Sequence, residues 1–150
     1  MKYAATTDVS SERSRGEIEK ILQRYGASHF FYASSPDCAN LGFTVRGRTV
    51  RFTLPMPDPK SPEFNLTPTG RTRKNDNASE AAYEQAVRQR WRALALCIKA
   101  KLEAVESEIT TFEKEFLAHF IMPDNRSLAD HILPQLENMS GKMPRLLLGN

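Results

Sequence analysis

The chain has 150 residues, 40% hydrophobic and 26% charged, with a formal net charge of +3, which fits one soluble globular domain spanning 1–150. No apolar run approaches the ~18–20 residues of a membrane span, and Met1 to Ser10 lacks the basic-then-apolar layout of a secretory leader, so no membrane partner and an intracellular location are expected. Cys38 and Cys97 make neither a disulfide framework nor a metal spacing and read as reduced thiols, Cys97 within the core.

Residues 1–10 are polar and read as a flexible N-terminus, although Tyr3 could pair with a sheet edge. Ser14 with Glu17 fits a capping box, Ile18, Ile21, Leu22 and Tyr25 share one helical face, and Gly26 sits where a left-handed cap belongs. The expected helix runs from Ser14 to Tyr25, with Ser11 as an earlier start. Three strands should follow at Ser28–Ser34, Ala39–Val45 and Arg48–Leu54. The last two are separated by Arg46-Gly47, the spacing of a tight hairpin, which pairs Val45 with Arg48, Phe43 with Val50 and Leu41 with Phe52. That register gathers Leu41, Phe43, Val45, Val50, Phe52 and Leu54 on one face and Thr44, Thr49, Arg51 and Thr53 on the other.

From Pro55 to Asn77 there are five prolines, no periodicity and the basic run Arg71, Arg73 and Lys74. A stretch of this kind is either a binding loop or a crossover anchored by Phe64 and Leu66 that covers the sheet edge, and the residues leave both open. Ala78 to Ile121 then contains neither Pro nor Gly. Apolar residues recur at three and four from Val87 through Trp91, Leu94, Ile98, Leu102, Val105 and Ile109 to Phe112, Phe116 and Phe120. Unbroken, such a helix would be ~65 Å long, more than a domain of this size spans, so a bend or split is expected near Thr110, where Thr110 and Glu113 could form a cap. Its middle, Trp91 to Leu102, is apolar on nearly every side and reads as buried. Ser127 with Asp130 caps a last helix that Pro134 should kink or divide, and 141–150 is an apolar tail expected to dock on its own domain or on a neighbour. The fold class is therefore α+β: helix, three-stranded antiparallel meander, Pro-rich crossover, long helix and C-terminal helical cap. The helix length and the apolar tail favour a homodimer, with the second half of the long helix as its interface.

Four blocks, ERSRGEIEKILQRYGA from Glu12, VRFTLPMPD from Val50, QRWRALALCIKAKLEAVESEI from Gln89 and FLAHFIMPDNRSLADHILPQL from Phe116, resemble a family of small tailed-bacteriophage proteins with no established activity. The resemblance covers a little under half the chain. It implies an accessory role, such as genome maintenance or counter-defence, in the cytoplasm of an infected bacterial host.

No catalytic motif stands out. His29, His119 and His131 are isolated in sequence, Glu115 with His119 lacks the further ligands a metal needs, and Asp58-Pro59-Lys60 reads as a loop rather than a nuclease element. The scattered glycines form no phosphate-cradling loop, and no cofactor is expected. Binding is the better class. Between Arg46 and Arg92 ten basic residues face five acidic ones, and rings such as Phe31 and Tyr32 interleave with them. A polyanion, either nucleic acid or a nucleotide, is the expected ligand, met by Arg46, Arg48, Arg51, Arg71, Arg73, Lys74, Arg88 and Arg92. The alternative is an inhibitor that docks onto a host defence protein through the tail or the Pro-rich loop.

Overall fold

Ser10 Oγ accepts the amide of Arg13 and so starts α1 (Ser11–Arg24) one turn before the sequence's capping box. Ser14, expected as the cap, lies instead inside the helix, on the buried stripe with Ile18 and Leu22. Gly26, at φ 81°, closes the helix while the amide of Ala27 reaches back to the carbonyl of Leu22. A computed structural model describes residues 2–72 and 76–139 of the chain, so Arg73, Lys74 and the tail at 141–150 lie outside the described residues. Tyr3 joins no strand and is exposed.

The sheet has the order β1 (Ser28–Ser34), β2 (Cys38–Val45), β3 (Arg48–Pro55), all antiparallel. Arg46 and Gly47 both take positive φ, 50° and 76°, the geometry of a two-residue turn whose twist matches the strands it joins. The resulting register is the expected one, including Val45 with Arg48, Phe43 with Val50 and Leu41 with Phe52. Cys38, one residue before the expected start of the strand, opens β2. β1 carries a bulge between Ser28 and Phe31, where His29 adopts φ 53°.

The Pro-rich segment is not structureless. It contains one helical turn, α2 (Pro62–Asn65), and a bridge between Leu66 and Thr72. Phe64 is buried edge-on against Tyr83, so the segment packs on α3 (Asp76–Glu106) rather than over the sheet edge, while Leu66, the other expected anchor, stays 37% exposed. α3 buries only Trp91, Leu94, Ala95, Ile98 and Leu102, while Cys97 and Ala100 face outward. The expectation of a helix buried all round is thus corrected: α1 and the sheet cover one side of α3, and small residues fill much of the other.

α3 ends where Glu108 turns left-handed (φ 59°) and the amides of Glu108 and Ile109 bond to the carbonyls of Val105 and Ala104. The chain splits there as expected, but the cap of α4 (Phe112–Phe116) is Thr111, which accepts the amide of Lys114, not Thr110. Phe112, Phe116 and Phe120 then turn inward onto Phe43, Phe52 and Val50, so these three rings, within the stretch expected as a dimer interface, belong to the monomer's own core. Ile109 is left in solvent.

α5 (Leu128–Asn138) has the expected capping box of Ser127 and Asp130, and it runs through Pro134 as one helix. Proline cannot donate to the carbonyl four residues back. That carbonyl, on Asp130, accepts Nη2 of Arg126 at 3.1 Å instead.

Candidate nucleic-acid interface

Strand alternation sends Leu41, Phe43, Val45, Val50 and Phe52 into the core with α1, α3 and α4. Asn40, Gly42, Thr44, Thr49, Arg51 and Thr53 take the opposite face, which no helix among the described residues covers. This face is polar and internally braced. Thr53 Oγ1 donates to Asn40 Oδ1 at 2.8 Å, and the Thr44 and Thr49 hydroxyls stand 3.5 Å apart.

One ring lies on it. Phe31 pairs with Gly42 in the register, and a Cβ built on Gly42 would come within 1.8 Å of the Phe31 ring edge, so the ring occupies the space that a side chain would need. Phe31 nevertheless keeps 41% of its surface in solvent. Its neighbours in the strand, Phe30 and Tyr32, point to the other side, toward Phe43 and Trp91.

The predicted arginines do not form one surface. Arg51 belongs to the open face, where Nη1 and Nη2 donate to Oδ1 and the carbonyl of Asn125 at 3.1 and 2.9 Å. Arg46 and Arg48 stand at the hairpin tip, Arg46 at 3.9 Å from the exposed Glu113 and Arg48 over the Phe120 ring at 5.4 Å. Neither contact removes much charge from solvent. Arg71 is exposed on the α2–α3 connection. Arg88 and Arg92 sit on α3, in the helical layer behind the sheet. Arg92 is tied to Glu17 of α1 by a partly buried ion pair, and Arg88 to Gln85 and Glu84. Side chains in a helical layer behind a sheet cannot share a surface with the sheet's far face, whatever their proximity in sequence to the basic run.

The turn that receives Arg51 carries two ionised acids. Hydrogen bonding by Ser127 holds Asp130 below the usual carboxylate range, and the amide of Arg126 together with His131, 2.8 Å away, does the same for Asp124. The outer edge of β3 is therefore mixed in charge.

Among the described residues no group of three or more His, Cys, Asp or Glu side chains could hold a metal ion. Glu115 is bound to Lys101 at 3.2 Å, and His119 lies on Phe52 with ring centroids 4.2 Å apart, its pKa lowered by burial and by Lys101. Comparison of the chain with protein-family models, curated proteins and solved structures gives no match.

Proposed function

We propose that this protein is a binding protein for single-stranded nucleic acid, which lies across the open sheet face with a base on Phe31 and a phosphate near Arg51, and leaves that face past Arg46 and Arg48, which sit at the hairpin rim on the helical side. The observation that carries the reading is the half-exposed Phe31 ring seated on Gly42 in the middle of a polar face that no described helix covers. Stacking on such a ring is tolerant of sequence, because every base has a π-face. A flat face suits unpaired bases better than a duplex, whose base faces are hidden. The accessory role in an infected bacterium that the phage resemblance implies is part of this proposal.

The test is fluorescence anisotropy with labelled single-stranded DNA and RNA against a duplex of the same sequence. Arg51 on the face together with the two rim arginines should give a slope of about −2 in log affinity against log salt. Arg48→Ala combined with Arg51→Ala should bring the magnitude of that slope below about 1 at unchanged melting temperature. Equal affinity for the duplex, or an affinity insensitive to salt, would refute the reading.

A second reading, docking onto another protein, is favoured by α5. None of its residues is buried, and Ile132, Leu133, Leu136 and Met139 are all exposed. A host defence protein or a second copy, giving the homodimer, would cover them. Leu133→Glu with Leu136→Glu should then abolish dimerisation in light scattering, or capture of the partner, with little change in stability. A monomer that captures nothing before the substitution excludes it.

A further inference from the structure

A concavity lies on the other side of the sheet, where the start of α1, the β1–β2 turn and the first half of α3 meet. It encloses about 480 Å³, a volume ordinary for a small-molecule site. Two guanidinium groups line it, and both are held in place by the protein. That of Arg15 lies against two rings, 4.6 Å from the centroid of Tyr32 and 5.2 Å from that of Trp91. That of Arg88 donates Nε and Nη2 to Oε1 of Gln85 at 3.2 and 2.6 Å. Gln85 is itself anchored, its Nε2 donating to the carbonyls of Ala5 and Thr7 at 3.2 and 2.7 Å.

Each arginine keeps one nitrogen only loosely engaged. Arg15 Nη2 is 3.5 Å from Glu12, and Arg88 Nη1 is 4.0 Å from Glu84, both beyond good hydrogen-bond length. The two carboxylates are 77% and 61% exposed and can swing away without cost to the core. A phosphate offers the same nitrogens shorter, charge-assisted bonds. The rest of the lining divides by chemistry: Tyr83, Val87, Met56 and Pro36 give an apolar wall, while Ser34 and Ser35 add hydroxyls. The same two acids that yield to one phosphate repel a long chain of them, so the site suits a compact anion.

We propose that this cleft is a separate site for a ligand with a planar ring and one or two phosphates, in class a nucleoside mono- or diphosphate. The ring packs on the wall formed by Tyr83, Val87 and Met56, and the phosphate bridges Arg15 and Arg88. This site stands independently of the strand-binding face.

Trp91 is the single tryptophan of the chain and borders the cleft, so its emission reports occupancy directly. The experiment titrates the intact protein with the 5′-mono- and diphosphates of adenosine, guanosine, cytidine and uridine, and in separate arms with adenosine and with inorganic phosphate. Saturable quenching by at least one nucleotide is expected, at least about tenfold tighter than by adenosine or phosphate alone. Arg88→Ala, at a side chain one-third exposed, should weaken it about tenfold or more with little change in melting temperature, and Phe31→Ala should leave it unchanged. Arg15→Lys, which keeps the charge but not the planar stack, gives a second reading of the same site if Arg88→Ala proves unstable. Three results would overturn the proposal: no saturable response to any nucleotide, an equal response to phosphate alone, or quenching that survives the arginine substitutions but is lost with Phe31→Ala.

Discussion

Phe116→Ala is expected to lower the free energy of unfolding by about 3–5 kcal/mol, a large part of the whole for a domain of this size. The ring is wholly buried and is the point at which α4 is fastened to the sheet. It meets Phe43 and Phe52 edge-on, each at 6.2 Å, stacks on Phe112 at 4.6 Å, and has Lys101 Nζ 5.9 Å from its centre. Removing it leaves a cavity between two layers whose backbones are set by a sheet on one side and a capped helix on the other, so neither can collapse far into the gap. The neighbouring residue supplies the control. Leu117 is half exposed, and Leu117→Ala should cost no more than about 0.5 kcal/mol in the same urea titration. Similar losses for the two variants would mean that α4 is not seated on the sheet as described.

The parts of this fold that were legible in the sequence are those governed by local chemistry. Arg46-Gly47 between two alternating runs admits one hairpin register, and that register alone separates the apolar face from the threonines and Arg51. Ser127 and Asp130 form their capping box within four residues, with no help from the rest of the chain. Errors arose where two local answers competed. Ser10 and Ser14 are both acceptable caps, and what decides between them is that Ser14 falls on the stripe with Ile18 and Leu22 that must pack inward. Cys97 and Ala100 look like core because small residues are compatible with burial, yet they lie on a side of α3 that nothing described covers.

The candidate sites were harder to read, for a physical reason. Ten basic residues between Arg46 and Arg92 can be counted, but their use depends on partners far away in sequence: Glu17 for Arg92, Asn125 for Arg51. The cleft was invisible altogether, since Arg15, Tyr32 and Trp91 come from three different elements and meet only because α1 and α3 lie side by side on one face of the sheet. The exception is Gly42. A glycine between Leu41 and Phe43, opposite an aromatic run in the preceding strand, is a recognisable sign that a ring lies across the backbone.

That glycine permits the sharpest separation of fold from function. Gly42→Val is expected to leave the melting temperature within a few degrees of the parent and to weaken binding of single-stranded nucleic acid by about ten- to a hundredfold, the worth of one stacked base. A Cβ at this position would lie 1.7 Å from Cε1 of Phe31, far inside any allowed contact, so the ring must leave its seat. It can do so cheaply, because its far side already faces water and the obstructing atoms are the end of a side chain rather than backbone. Valine is also better suited to a strand interior than glycine, which offsets part of what the displaced ring loses. Phe31→Ala should reproduce the loss of affinity by deletion rather than displacement, and combining the two should weaken binding no further than either alone, since both remove the same platform. If Gly42→Val instead unfolded the sheet while Phe31→Ala bound nucleic acid normally, the ring would be part of the structure's packing, and the open face would lose the one ring among the described residues that was assigned to stack a base.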